Sequence, residues 1–190
     1  MKRAKLGDVY AFKTDRGYRI IHWAYSVERR GNFSRIFPGF YQEKPQNIEE
    51  FIDGECMYIA QFTIAKLYRK GLLEHWGNCP ISEKHPLPTM TINYVPYPNV
   101  DKNYGKYEIC EFSNGHFVGL FYGDHTGKAV PEEYHSVKLI NSVVDPIWFL
   151  YLLSSDFDLQ HWKLFWPSKQ KWNKYEKIYG DILFGPKKET

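Results

Sequence analysis

A chain of 190 residues fits one domain that can bury a full core without covalent staples. Apolar residues make up 43% and charged residues 25%, which excludes disorder as the main state, and three Cys exclude a disulfide scaffold. The longest apolar run, Ile147 to Leu153, falls far short of the roughly 20 residues that a membrane-spanning helix needs.

Gly7 and Asp8 open a first hairpin. Val9 to Phe12 reads as a short strand, and Asp15-Arg16-Gly17 as its turn, with Gly17 supplying a positive φ. Tyr18 to Val27 is rich in Tyr, Ile, Trp and Val and reads as a long strand. Both of its faces are largely apolar: Tyr18, Ile20, His22 and Ala24 on one, Arg19, Ile21, Trp23 and Tyr25 on the other. Such a strand belongs in the middle of a curved sheet. Phe33 to Tyr41 reads as a third strand interrupted at Pro38-Gly39. Asn47-Ile48-Glu49-Glu50 resembles a capping box, and the helix it opens should end at Asp53-Gly54.

Met57 to Thr63 is a further strand, Ile64 to Lys70 a helical turn before Gly71, and Leu72 to Trp76 another extended piece. Five of the eleven prolines fall at 80, 86, 88, 96 and 98, so this region is an irregular connection around one strand, Thr89 to Val95. Tyr107 to Phe112 and Phe117 to Tyr122 flank Ser113-Asn114-Gly115-His116, and Asn-Gly is the pair that a type I′ hairpin requires. Gly123 to Lys128 reads as a loop and Val137 to Val144 as a strand. Asp145-Pro146 starts a helix, because Asp caps well and Pro at the first helical position loses no hydrogen bond. That helix, Ile147 to Ser154, is apolar nearly all round and should be buried. A second short helix is expected near Asp158.

Strands precede helices, and no βαβ alternation is present. The expected fold is a single α+β domain: a mainly antiparallel curved sheet, partly open and barrel-like, with a buried helix in the C-terminal half. Residues 1–158 form its body, and 159–190 a basic aromatic segment packed on the same domain. That segment holds seven Lys against three acids, whereas the body is close to neutral. Its Lys residues alternate with Trp162, Phe165, Trp166, Trp172 and Tyr175. Two readings stay open: a strip that tracks a nucleic-acid backbone and stacks bases, or a helix whose aromatics dock while the Lys heads remain in water.

Catalytic and metal patterns are thin. Cys56, Cys79, Cys110 and seven His form no close ligand pairs, so no metal and no cofactor is expected, and the thiols read as small buried residues. Nucleophile-elbow, dinucleotide and P-loop patterns are missing from the sequence, and no enzyme is expected. His125 beside Asp124 could expose a general base, although a solvated turn is the simpler reading. Surface recognition is left as the default. Glu49, Glu50, Asp53 and Glu55 put four acids in seven residues and are the candidate electrostatic contact for a protein partner. Asp124 in the 123–128 loop, and the hairpin tip at Asn114, are further candidates.

Two segments carry a resemblance. Lys5-Leu6-Gly7-Asp8-Val9-Tyr10-Ala11-Phe12 precedes a turn and the strand from Gly17 to Ile21. Later, Leu72 to Ile81 contains Trp76, Gly77 and Pro80. Together they resemble the immunity protein 26 family of bacterial polymorphic toxin systems, with Gly7, Asp8, Val9, Tyr10 and Phe12 matching its opening element. The resemblance covers roughly residues 5–100. It implies a cytoplasmic, non-enzymatic inhibitor that binds one cognate toxin domain directly, with no membrane association. It also marks Gly7 and Trp76 as fold positions.

Overall fold

The computed structural model describes residues 3–62, 64–96, 104–112, 117–124, 132–134, 136–140, 145–157 and 167–186. The opening hairpin pairs β1 (Asp8–Thr14) with β2 (Gly17–Val27), antiparallel, with Val9 opposite His22 and Thr14 opposite Gly17. Gly17 has φ +124°, and a Cβ there would meet the Tyr41 carbonyl oxygen at 2.7 Å. The chain therefore needs glycine both for the turn and for the backbone bridge between Tyr18 and Tyr41.

β3 (Gly31–Ile36) adds to β2 across an irregularity between Trp23 and Tyr25, and β4 (Tyr58–Gln61) adds to β3. β5 (Glu74–Asn78) lies on the other side of β1. β6 (Met90–Pro96), β7 (Tyr104–Glu111) and β8 (Phe117–Asp124) form an antiparallel meander. The two halves are joined by β9 (Leu139–Ile140), which runs parallel to both β4 and β6. The order is β5-β1-β2-β3-β4-β9-β6-β7-β8, an open and mostly antiparallel sheet.

Because side chains alternate along a strand, the sheet builds two cores. Tyr10, Phe12, Ile21, Ile36, Tyr58 and Ala60 point to one face, covered by α2 (Ile64–Arg69), α3 (Pro146–Ser154) and α4 (Lys169–Phe184). Val9, Ala11, Ile20, Phe33, Phe37 and Ile59 point to the other, covered by α1 (Ile48–Ile52) and the segment around Cys56 and Cys79. This two-sided burial is why β2 reads as apolar on both faces.

α3 forms as its sequence demands. The Asp145 carboxylate accepts from the backbone N–H groups of Ile147 (2.8 Å) and Trp148 (3.3 Å), and Pro146 occupies the first helical position. Ile147 through Leu153 are all buried. Phe149 stacks on Phe62 at 4.2 Å, and Tyr151 meets Tyr175 of α4 edge-on at 5.8 Å. Each large apolar side chain of this kind contributes about 1.5–3 kcal/mol. α4 supplies the second wall: Trp172, Tyr175, Tyr179 and Leu183, at helical spacing, turn to the core, while Lys171, Lys174 and Lys177 stay exposed. Docking through Trp162, Phe165 and Trp166, and the short helix near Asp158, fall outside the described residues.

Several boundaries move. The third strand stops at Ile36, and Tyr41 only bridges Tyr18, because Pro38 breaks the ladder. The extended piece after α2 starts at Glu74 rather than Leu72, since Leu72 N–H closes the helix on Leu67. The 107–122 hairpin is longer than expected: Gly105 pairs with Gly123 and Tyr104 with Asp124, so Asp124 ends a strand rather than opening a loop. The hairpin tip at 113–116 and the segment 125–131, with His125, lie outside the described residues. No described helix is long and apolar enough to cross a membrane.

Candidate functional site

α1 is five residues long and stays helical because both ends are tied. At its start, Asn47 Oδ1 accepts from Glu50 N (3.1 Å), the first half of the capping box that the sequence suggests, while the Glu50 carboxylate accepts from the Asn47 side-chain amide Nδ2 (3.1 Å) in place of the backbone N–H. At its end, Arg35 reaches from β3. Its Nη1 donates to Ile52 O (2.7 Å) and its Nη2 to Gly54 O (2.7 Å). Ile52 is buried, and Phe51 packs against Phe37 and Tyr41 with ring centroids 5.1 Å away in each case. The helix thus presents Glu49 and Glu50 outward on a rigid base.

The four acids of this segment are all exposed, but they are not equivalent. Asp53 binds Lys84 at 2.9 Å and His85 at 3.3 Å, and the Lys84 hydrogen bond holds its carboxyl below the usual range. Glu55 pairs with Lys138, whose hydrogen bond lowers its carboxyl likewise. Among the described residues, neither Glu49 nor Glu50 has an ion pair. Glu50 stands between two hollows. One, about 450 Å³, is lined by Phe37, Tyr41, Pro45, Phe51 and Glu55; the other, about 400 Å³, by Glu49, Asp53, Cys79 and Pro80. Asp124 is not brought to this face by strand neighbourhood: its strand β8 is separated from β3 in the sheet by β4, β9, β6 and β7.

A second polar cluster sits where the two resemblance segments meet, on β1 and β5. Asp8, 4% exposed, accepts four hydrogen bonds. His75 Nε2 (3.0 Å) and Asn78 Nδ2 (2.9 Å) donate to Oδ1, and Lys5 N (2.7 Å) and Tyr10 Oη (2.8 Å) to Oδ2. Burial pushes the Asp8 carboxyl up, but the hydrogen bonds, Asn78 foremost, outweigh it and hold the group below the ordinary carboxylate range. Burial, reinforced by the bond to Asp8, raises the Tyr10 phenol. Tyr68 of α2 packs on Tyr10 at 5.1 Å. These residues border a cavity of about 560 Å³.

Beneath this cluster, Gly7 N–H donates to Trp23 O (2.8 Å), and Cys79 N–H donates to Gly7 O (2.8 Å). His22, fully buried, bonds Cys79 O through Nε2 at 2.8 Å. Desolvation pulls its imidazole down to about 4, so it is neutral at physiological pH. The Asp8–His75 pairing spans 67 positions and left no local signal in the sequence. The three Cys are buried, and no group of metal-ligating side chains is found among the described residues. No protein-family model, curated protein or solved structure matches this chain.

Proposed function

We propose that the protein is a cytoplasmic immunity protein that neutralises a cognate bacterial toxin by binding it directly, through the α1 face. The observation that carries this reading is the pair Glu49 and Glu50: exposed, without ion pairs among the described residues, and mounted on a helix that Arg35 fixes to the sheet. Preorganised charge beside an aromatic-lined hollow is a favourable contact surface, because it speeds encounter and spends little entropy on docking. The resemblance of the 5–100 region to immunity proteins gives the partner its class. The nucleic-acid alternative loses support, because Trp172 and Tyr175 pack against the core, which takes their rings away from base stacking.

The experiment is capture of partners from the native host, washed at about 0.15 M and about 0.5 M salt, between which the Debye length falls from about 8 Å to about 4 Å. A single stoichiometric protein with a toxin domain, lost on charge reversal of Glu49 and Glu50, is the expected result. Recovery of nucleic acid that washes off at high salt would transfer the function to α4.

A further inference from the structure

We propose that the cavity at the β1–β5 edge binds a small hydroxylated anion, of the sugar-phosphate or hydroxy-carboxylate class. This site is separate from the α1 face and does not depend on the toxin reading. Its volume, about 560 Å³, falls within the range of small-molecule sites, about 300–1,000 Å³. The cavity is lined by Arg3, Lys5, Asp8, Tyr68, His75 and Asn78.

The hydrogen-bond inventory sets the ligand chemistry. Asp8 is the one acid among the described lining residues, and its oxygens already accept from His75, Asn78, Tyr10 and the Lys5 amide. Its charge is therefore spent inside the protein. Arg3 and Lys5 are exposed, and their side chains have no ion pair among the described residues. The Tyr68 hydroxyl likewise has no hydrogen-bond partner among them. Two cations and a hydroxyl donor then face the space, which selects an anion.

His75 adds a second requirement. It lines the cavity, and because its Nε2 proton is committed to the Asp8 carboxylate, the neutral ring keeps Nδ1 as an acceptor. An acceptor beside an anion site is matched by a ligand that carries a hydroxyl next to its phosphate or carboxylate. The β1–β5 ladder and the Asp8 network hold His75 in place before any ligand arrives.

Titration of the isotope-labelled full chain with ribose 5-phosphate, citrate, inorganic phosphate and ribose, followed by amide NMR, tests the proposal. Ribose 5-phosphate or citrate should shift the amides of Lys5, His75 and Asn78 saturably, and whichever binds tighter identifies the source of the anion. Ribose should not bind, and inorganic phosphate should bind at least about tenfold more weakly. The double variant R3A/K5A, at exposed positions that carry no core contact, should weaken the preferred ligand about tenfold or more while the thermal midpoint stays put. Equal binding of ribose or of inorganic phosphate would overturn the ligand class. Absence of saturable shifts at these amides with all four compounds would overturn the site.

Discussion

Arg35 Nη1 donates to the carbonyl of Ile52 at 2.7 Å, from the end of β3 to the last turn of α1. Arg19 does the same for α3 on the opposite face: its Nε donates to Leu153 O (3.0 Å) and its Nη2 to Ser155 O (2.7 Å). Both arginines are almost wholly buried, and neither has a carboxylate partner among the described residues. Each places a cation at a helix C-terminus, where orphan carbonyls and the negative end of the helix dipole compensate it. The two faces of the sheet are thus fastened to their covering helices by one device.

Replacing Arg35 with Met tests that fastening. The Ile52 carbonyl would lose its donor in a buried site and the Gly54 carbonyl in a partly buried one, and unfolding in urea should show a loss of about 2–3 kcal/mol. Arg35→Lys should recover little of it, because one ammonium does not reproduce the two-pronged guanidinium. A variant as stable as the parent would mean that α1 is held by Ile52 and Phe51 alone.

His22 makes stability depend on pH. In the unfolded chain the imidazole titrates near its ordinary value of about 6.5, and in the fold near about 4. A depressed folded value means that acid favours the unfolded state. The contribution is complete above about pH 6.5 and is lost as pH falls toward about 4, a total of about 3 kcal/mol. Asp8, also depressed, contributes in the same direction only at lower pH, below the ordinary carboxylate value. His22→Gln keeps a donor for Cys79 O but removes the titration. Denaturation midpoints measured between pH 7 and pH 4.5 should flatten in that variant.

Gly7 and Gly71 separate two costs of adding a Cβ. Both have positive φ, +86° and +71°, so both pay the left-handed penalty of about 1–2 kcal/mol. Gly71 opens on empty space, whereas a Cβ at Gly7 lies 3.1 Å from the Cys79 carbonyl and against the Asn78 amide. Gly7→Ala should therefore cost clearly more than Gly71→Ala in thermal unfolding. It should also disturb the β1–β5 pairing that holds Asp8 and His75 together. Equal losses would mean that Cys79 and Asn78 yield at no cost.

What the sequence disclosed was local. The turn at Gly17, the β7–β8 hairpin pairing, the cap at Asp145 and the two-faced β2 each place the signal within a few residues, and the fold class follows from them. What it hid was long-range. β9 is only two residues long, and its place between β4 and β6 comes from tertiary contact, not from its own pattern. An arginine in a strand does not announce the helix it will cap. The acidic run was legible as four charges, yet Lys84 and Lys138 approach from 31 and 83 residues away and neutralise half of it.

That division within the acidic run yields the sharpest prediction for the α1 face. If the four acids acted as one diffuse field, removing any of them would weaken binding of the proposed toxin partner alike. The ion pairs argue otherwise. The oxygens of Asp53 and Glu55 are already bound to Lys84 and Lys138, so they are not offered to a partner as open acceptors, and Asp53→Asn and Glu55→Gln remove no direct contact with it. Glu49 and Glu50 have no such partner among the described residues. Glu49→Lys with Glu50→Lys should lower toxin affinity at least about tenfold, mostly by slowing association, with the effect shrinking at high salt. Because Glu50 also accepts from the side-chain amide of the N-cap Asn47, Glu49→Lys alone is the cleaner probe: it should lose affinity with an unchanged unfolding midpoint. Surface-plasmon rates for the four single variants would decide it. Equal losses at Asp53 and Glu49 would point to a field spread over the whole segment, and no loss at Glu49 or Glu50 would remove α1 from the interface.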